Sequence, residues 1–403
     1  MASNAKNLAE LLNQDSTVAV GDIADGSVTT AKLAADAVTA AKLADNAVVT
    51  ANIVDGNVTA AKTTGVGKGK NIVINGDMRI AQRGTAAVTT GGSFTVDRWK
   101  NISNASDFSA QQSSVVPSGQ GFYKSIHITP TSTQSPGSGT YFFTSHYIEG
   151  FNIGQLDWGT SGARTVTLSF FVRSSKTGIY TVGLKNADAS RSRQQEYTIS
   201  SADTCEKKTI TITGETSGSW PIDNTRGLAL DFCLAGNASA TSTLGSWISA
   251  NSNMSTNQVN FFDSTSANWY MTGVQLELGT QATDFEHRSH GEELQLCKRY
   301  FQNIGADGTP NAGFIYNGLP MFTCHWPVEM RATPTGSVQA NGSAFSSTNA
   351  SGQTNYTGST TSNLNIYLKG NRNYLTGGSW SGSGNDRGNA LLGSQNVNFD
   401  AEL

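Results

Sequence analysis

Between residues 363 and 387 the sequence gathers Tyr367, Arg372, Asn373, Tyr374, Trp380, Asn385, Asp386 and Arg387 among glycines and serines. Aromatic rings offer flat apolar faces on which the C–H faces of sugar rings stack, while Asn, Asp and Arg side chains hydrogen-bond hydroxyl groups. Tyr367, Arg372, Asn373, Tyr374, Trp380, Asp386 and Arg387 are therefore the candidate glycan-binding residues. Each aromatic also has an ordinary reading, Tyr367 as a strand core residue and Trp380 as a residue buried between chains. Trp158, Trp220 and Trp247 carry the same rings, but core packing is the simpler expectation for them.

Cleavage of a bound glycan would need two carboxylates held several ångströms apart. Glu292 and Glu293 are adjacent on an expected helix and point apart, and Glu215, Asp223, Asp231 and Asp263 are scattered without a motif. There is no Gly-x-Ser-x-Gly elbow and no His-Glu-x-x-His pair. No enzymatic activity is expected. His287, His290 and Glu293 have a spacing that could hold a metal about a symmetry axis. The favoured reading places His290 in a helix-capping turn and His287 at a strand end.

These residues need elements to carry them. From Asn71 the apolar period becomes two, with Ile72 and Ile74 before an Asn75-Gly76 turn, then Phe94, Val96 and Trp99. Alternation recurs at 125–128, 165–172, 180–184, 209–213, 228–234 and 269–278, with Gly/Ser/Asn turns between. Strands without intervening helical patterns predict an antiparallel two-sheet sandwich, best read as a jelly roll. Ser289-His290-Gly291-Glu292 has capping-box spacing, and Leu294, Cys297, Tyr300 and Phe301 follow at helical intervals, predicting a helix of about three turns. Beyond it, 313–316 and 321–326 read as strands and Arg331-Ala332-Thr333-Pro334 as an edge or turn, opening a smaller β-domain with long loops.

The amino-terminal part is built differently. Val18, Val28, Val38, Val48 and Val58 mark one phase of a ten-residue repeat, and Ile23, Leu33, Leu43 and Ile53 the other. Anchors five residues apart share no face of a single helix or strand. One such unit is too small to make a core, so Val28, Leu33, Val38, Leu43, Val48 and Ile53 are expected to meet their counterparts in other copies around a common axis. Threefold closure is the expected arrangement of this shaft. The local conformation of each unit stays open. Before it, Leu8, Leu11 and Leu12 form one face of a helix over 5–12 that is too short to stand alone, so it pairs with copies or docks on another protein. Gly65-Val66-Gly67-Lys68-Gly69-Lys70 is a joint and lacks the phosphate-loop spacing.

Composition narrows the partners. A net charge of -3 with 14% charged residues gives no basic stripe, so nucleic acid is not expected. No run reaches transmembrane length, and Met1 to Lys6 does not read as a secretory signal. Cys205, Cys233, Cys297 and Cys324 are widely spaced and are expected to be reduced and buried.

Three motifs resemble those of bacteriophage tail fibre proteins: Asn71-Ile72-Val73-Ile74-Asn75-Gly76-Asp77-Met78-Arg79-Ile80-Ala81-Gln82-Arg83-Gly84 with Thr95-Val96-Asp97-Arg98-Trp99; Gly273-Val274-Gln275-Leu276-Glu277-Leu278-Gly279 with Phe285-Glu286-His287-Arg288; and Gly291-Glu292-Glu293-Leu294-Gln295-Leu296-Cys297-Lys298-Arg299-Tyr300-Phe301. The resemblance implies a homotrimeric virion fibre, assembled in the host cytoplasm. Its amino terminus would be held by phage tail or baseplate proteins, and its jelly roll would resemble a carbohydrate-binding module for a bacterial surface polysaccharide. No cofactor is expected; calcium, held by many such modules, has no Asp-rich loop to support it here. The expected organisation is a docking helix over 1–17, the shaft and joint over 18–70, the jelly roll over 71–290, and a linker helix with a β tip over 291–403. The alternatives are a fibre with glycan depolymerase activity and a cellular carbohydrate-binding adhesin, or the binding module of a secreted glycosidase.

Overall fold

Eleven strands stack as two antiparallel sheets, six of them from segments that alternate apolar and polar residues. In the computed structural model the chain divides into two units, Met1–Thr63 and Thr64–Leu403. The structure describes Ser27, Thr29, Leu33, Val38 and Thr39 of the first unit, and of the second residues 69–403 except 105–106, 136–140, 237–243, 253, 305–311, 317–318, 325–326, 339–344, 349–353, 359–364, 370–371, 377–388 and 393–396. Leu8, Leu11, Leu12, Val28, Leu43, Val48 and Ile53 lie outside the described residues. Leu33 and Val38 are exposed in the single chain, at 45% and 52%.

The first sheet orders β1 (Phe94–Val96), β2 (Trp99–Ser103), β5 (Phe142–Glu149), β10 (Arg226–Ala235), β7 (Gly178–Asn186) and β8 (Ser192–Ile199). The second orders β3 (Phe108–Ser113), β4 (Ser125–Pro130), β11 (Trp269–Leu278), β6 (Val166–Ser174) and β9 (Glu206–Ile212). The six alternating segments anticipated from the sequence are β4, β6, β7, β9, β10 and β11. Leu228, Leu230, Phe232 and Leu234 from β10 and Val166, Leu168, Phe170 and Val172 from β6 belong to one core between the sheets. Phe170 meets Phe232 edge to face, with centroids 5.1 Å apart. Such ring pairs add stabilisation beyond the area they bury.

Residues 71–78 are buried throughout and form no strand, which corrects the period-two reading of Ile72 and Ile74. Val73 is as buried as its neighbours, so the segment has no solvent face. It fills a gap that β11 creates. β4 pairs with β11 only over Trp269, Tyr270 and Met271, and the register of β11 against β6 shifts between Thr272 and Gln275. Gly273 makes this bulge with φ +64, where an added Cβ would lie 2.6 Å from the Phe122 ring. Along the freed edge Val274 N–H donates to Gly76 O (2.9 Å) and Ile72 N–H to Leu276 O (2.9 Å). Asn71 Oδ1 accepts from Leu276 N–H (3.1 Å), and Asn71 Nδ2 donates to Val274 O (3.1 Å). Gly76 approaches so closely that an added Cβ would sit 2.1 Å from Val274 O.

Asn75 holds this plug in place, in the left-handed region at φ 56. Its Nδ2 donates to Ile80 O (2.9 Å) and Asp97 O (2.8 Å), and its Oδ1 accepts from Ile80 N–H (3.0 Å). Its carbonyl accepts from Trp99 Nε1 (2.9 Å), and its N–H donates to Glu293 Oε1 (2.5 Å). Glu293 belongs to α1 (His290–Lys298), whose capping box at Ser289 and Glu292 forms as anticipated. The helix is shorter than anticipated. It ends at Lys298, because Arg299 binds Glu149 and Phe301 enters β12 (Phe301–Ile304). Cys297 and Tyr300 pack with Ile74 and Ile80 in a small separate core.

β12, β21 (Val397–Asp400) and β15 (Thr335–Val338) form a three-stranded sheet with β21 in the middle. Glu402, beyond β21, pairs with the buried Arg98 and with Arg83. A seven-stranded sheet orders β17 (Thr354–Gly358), β16 (Phe345–Thr348), β20 (Asn389–Leu392), β13 (Ala312–Tyr316), β14 (Leu319–Cys324), β19 (Arg372–Thr376) and β18 (Asn365–Lys369). Cys233 and Cys297 are buried; Cys205 is half-buried, a partial correction, since its strand-end position before β9 leaves one side open. Among the described residues no helix is long and apolar enough to cross a membrane.

Asn75→Ala removes the donor to two buried carbonyls and the acceptor for one buried N–H. It is expected to cost about 2–4 kcal/mol in chemical denaturation. A second prediction concerns His146, buried against Trp99 with Nε2 2.9 Å from Ile74 O. Burial, reinforced by Arg98, holds its pKa well below the ordinary value, so the folded protein keeps it neutral. The unfolded chain takes up this proton as pH falls through about 6.5, so His146 destabilises the fold on the acid side. The melting-temperature gap between wild type and His146→Gln is expected to be wider at pH 7.5 than at pH 5.5. Asp97, pushed up to about 6 by burial, acts with the opposite sign but cancels between the two proteins.

Candidate functional site

Period-two geometry gives β5 an inner and an outer set of residues, and both contain aromatics. Phe142 and Ile148 belong to the core, while Phe143, Ser145 and Tyr147 alternate with them on the outer face of the six-stranded sheet. Register then assembles the rest of that face. Ser145 lies between Lys100 of β2 and Asp231 of β10; Tyr147 pairs with Ala229, which pairs with Lys185 of β7; Phe143 pairs with Cys233, which pairs with Thr181. Short side chains, Ser145, Ala229, Gly183 and Thr181, thus line a floor between the taller Phe143, Tyr147, Lys100 and Lys185.

One flank is walled. Ser192 of β8 exchanges backbone hydrogen bonds with Ile248 (3.0 and 2.8 Å). Gln194 Nε2 donates to Ser252 O (2.7 Å), and Ser255 N–H donates to Thr181 Oγ1 (3.2 Å). The segment around 248–257 therefore runs over the outer side of β8 toward β7.

Cations stand over the rings. Lys185 Nζ is 5.4 Å from the Phe143 centroid, and Lys100 Nζ is 5.6 Å from Phe94 and 6.0 Å from Tyr147. Arg226 Cζ lies 4.9 Å from the Tyr147 centroid, and its guanidinium donates to Ala187 O. These are cation–π distances. Tyr141, exposed, stacks beside Phe143 at 5.7 Å and 26°. Burial pushes the Tyr147 hydroxyl pKa up, the Asp231 charge adds to this, and Arg226 opposes it. The phenol is neutral and can both donate and accept.

Carboxylates near this face are already engaged. Asp231 Oδ1 accepts from Ser145 Oγ (2.6 Å), and Oδ2 pairs with Lys185 Nζ (2.8 Å). Glu149 is bound by Arg299 (2.6 Å) and by the Tyr300 hydroxyl (2.6 Å). Glu196 accepts from Ser255 Oγ and from Asn257 Nδ2 (2.9 Å). What this face offers a ligand is half-buried aromatic rings with ammonium and guanidinium groups beside them.

The outer face of the second sheet also carries aromatics. His127 stacks on Tyr270 at 4.2 Å and 5°, with Arg173 at 5.4 Å. There the parallel imidazole already covers one tyrosine face. A separate cavity of about 890 Å³ lies between the start of the second unit and α1, lined by residues including Lys70, Phe285, His287, Glu292 and Leu296.

The residues chosen from sequence fall elsewhere. Tyr367 in β18 is the register partner of Tyr374 in β19, and Lys369 of Arg372, in a hairpin at the edge of the seven-stranded sheet; Asn373 pairs with Leu368. Trp380, Asp386 and Arg387 lie outside the described residues. Trp158, Trp220 and Trp247 pack on one another with centroids 4.9, 5.3 and 5.6 Å apart, as core packing requires. His287 Nε2 lies 3.1 Å from Gln120 O among Phe122 and Phe285, whereas Glu293 turns to Asn75 and Arg288. Sequence reasoning missed Phe143 and Tyr147. The available signal was Tyr141, Phe143 and Tyr147 at even spacing.

No protein-family model matches the chain, and no curated protein matches it. Solved structures do. The enzymatically active domain of tailspike protein 4 of bacteriophage CBA120 matches at 12% identity and TM-score 0.28, over 48% of this chain and 21% of that one, so the match spans about a fifth of that domain's length. The module TmCBM61, in complex with β-1,4-galactotriose, matches at 12% identity and TM-score 0.26, over 47% of this chain and 92% of the module. The family 11 carbohydrate-binding module of the Clostridium thermocellum cellulase Lic26A-Cel5E matches at 13% identity and TM-score 0.24, over 49% and 98%.

Proposed function

We propose that this chain is the subunit of a trimeric virion fibre that attaches a phage tail to a bacterial surface glycan, and that the outer face of the six-stranded sheet is where the glycan binds. The observation that carries the reading is the strip of Phe143 and Tyr147 beside Lys100, Lys185 and Arg226, above a floor of short side chains. Sugar rings stack on such aromatic faces, and the flanking donors satisfy their hydroxyls. The prior engagement of Asp231, Glu149 and Glu196 supports binding without cleavage, because a glycosidase needs two carboxylates free to act on the scissile bond. The ten-residue repeat and the three fibre-like motifs support the virion role, with the amino terminus toward the tail.

Two outcomes are expected. Phe143→Ala with Tyr147→Ala lowers binding of the full chain to purified host surface polysaccharide at least tenfold in a glycan array or titration, while wild type leaves polysaccharide chain length unchanged. Loss of binding in Tyr367→Ala with Tyr374→Ala instead would move the site to the edge hairpin, and shortened chains would make the protein a depolymerase. Separately, Leu33 and Val38 are exposed in one chain, so native mass spectrometry is expected to give three copies of the full chain, and Leu33→Asp with Val38→Asp to shift that population toward monomer. A wild-type monomer would sink the fibre reading.

A further inference from the structure

The same face has a charge pattern that a purely neutral sugar does not call for. Three cations, Lys100, Lys185 and Arg226, converge on the rings of Phe94, Phe143 and Tyr147. Lys185 is neutralised by Asp231 beneath it at 2.8 Å. Glu149, the register partner of Arg226, is held instead by Arg299 and Tyr300. Lys100 and Arg226 form no ion pair among the described residues, and both flank Tyr147. This local positive excess stands in a chain of net charge -3.

The geometry points to an acidic polysaccharide as the ligand. We propose that the trough binds a glycan bearing carboxylate groups, of the uronic-acid type, with a sugar ring on Tyr147 and its carboxylate between Lys100 and Arg226. The inference rests on the glycan-binding reading of this face and narrows it. Without ligand, the π face of Tyr147 is the aromatic partner of both cations; a carboxylate is a stronger one. Arg226 is held near Tyr147 by its hydrogen bond to Ala187 O, so less ordering is needed on binding. Lys100 reaches over Phe94 and Tyr147 by its flexible stem and can close on the anion.

The test uses the full chain, with polygalacturonate, alginate and hyaluronan as acidic probes and the carboxyl-reduced form of each as neutral counterparts. Binding is measured by titration in low salt and in 0.5 M NaCl. The expected result is that at least one acidic probe binds tenfold or more tightly than its reduced form. That preference should weaken in high salt, as screening requires. It should also fall at least tenfold in Lys100→Gln with Arg226→Gln, whose melting temperature is checked against wild type, and be retained in Lys100→Arg. Equal binding of acidic and reduced forms, or binding to neutral glycans alone, overturns the acidic-ligand inference and leaves the glycan-binding face intact. Binding to none of the acidic, reduced or host-surface polysaccharides overturns both.

Discussion

Asn71–Ile80 has no regular structure, yet the sandwich closes around it. A bulged strand must dispose of the backbone groups it frees, because an unpaired buried amide or carbonyl costs as much as a lost hydrogen bond. In β11 those groups belong to Val274 and Leu276, and Asn71, Ile72 and Gly76 satisfy them. Asn75 then ties the segment to Trp99 at the start of β2, to Asp97 and to Glu293 of α1. The three fibre-like motifs, separated by up to two hundred residues in sequence, are thus parts of one buried hydrogen-bonded assembly.

That assembly also sets the candidate binding face. Trp99 and His146 are cross-strand partners, and both contact the plug through Asn75 O and Ile74 O. Fixing this pair fixes the register of β2 against β5, which places Lys100 beside Ser145 and leaves Tyr147 and Phe143 facing outward. A one-residue slip would turn those rings into the core and bring His146 and Thr144 to the surface. His146, buried against the plug, and the half-buried aromatic residues of the outer face are two sides of the same strand.

The parts of the fold legible in the sequence were those where one face is apolar and the other polar. β11, with Trp269, Met271 and Leu276 inward, shows this pattern, and the capping box of α1 is equally local. β8 was illegible because its inward positions include Arg193 and Gln195 and because Ile248, Ser252 and Ser255 cover its other side. β5 failed for the converse reason, having aromatics on both faces and so no alternation. The candidate face was beyond sequence reasoning as a unit, since Lys100, Tyr147, Lys185 and Arg226 come from four strands and meet only through pairing. Lys185 has no basic neighbour within five residues and Lys100 only Arg98, so no basic run announces them.

The position of β21 has a consequence for how the protein is made. It is the central strand between β12 and β15, and Glu402 just beyond it supplies the carboxylate for the buried Arg98. Roughly ninety residues separate the end of β12 from the start of β21. At ribosomal speed that is an interval of about 5–20 s. During it β12 and β15 wait with open edges, and a guanidinium destined for the interior has no counter-charge. The amino-terminal side of this unit can collapse during translation, but it cannot lock until β21 arrives, and until then chaperones and other chains compete for the same unfinished edge.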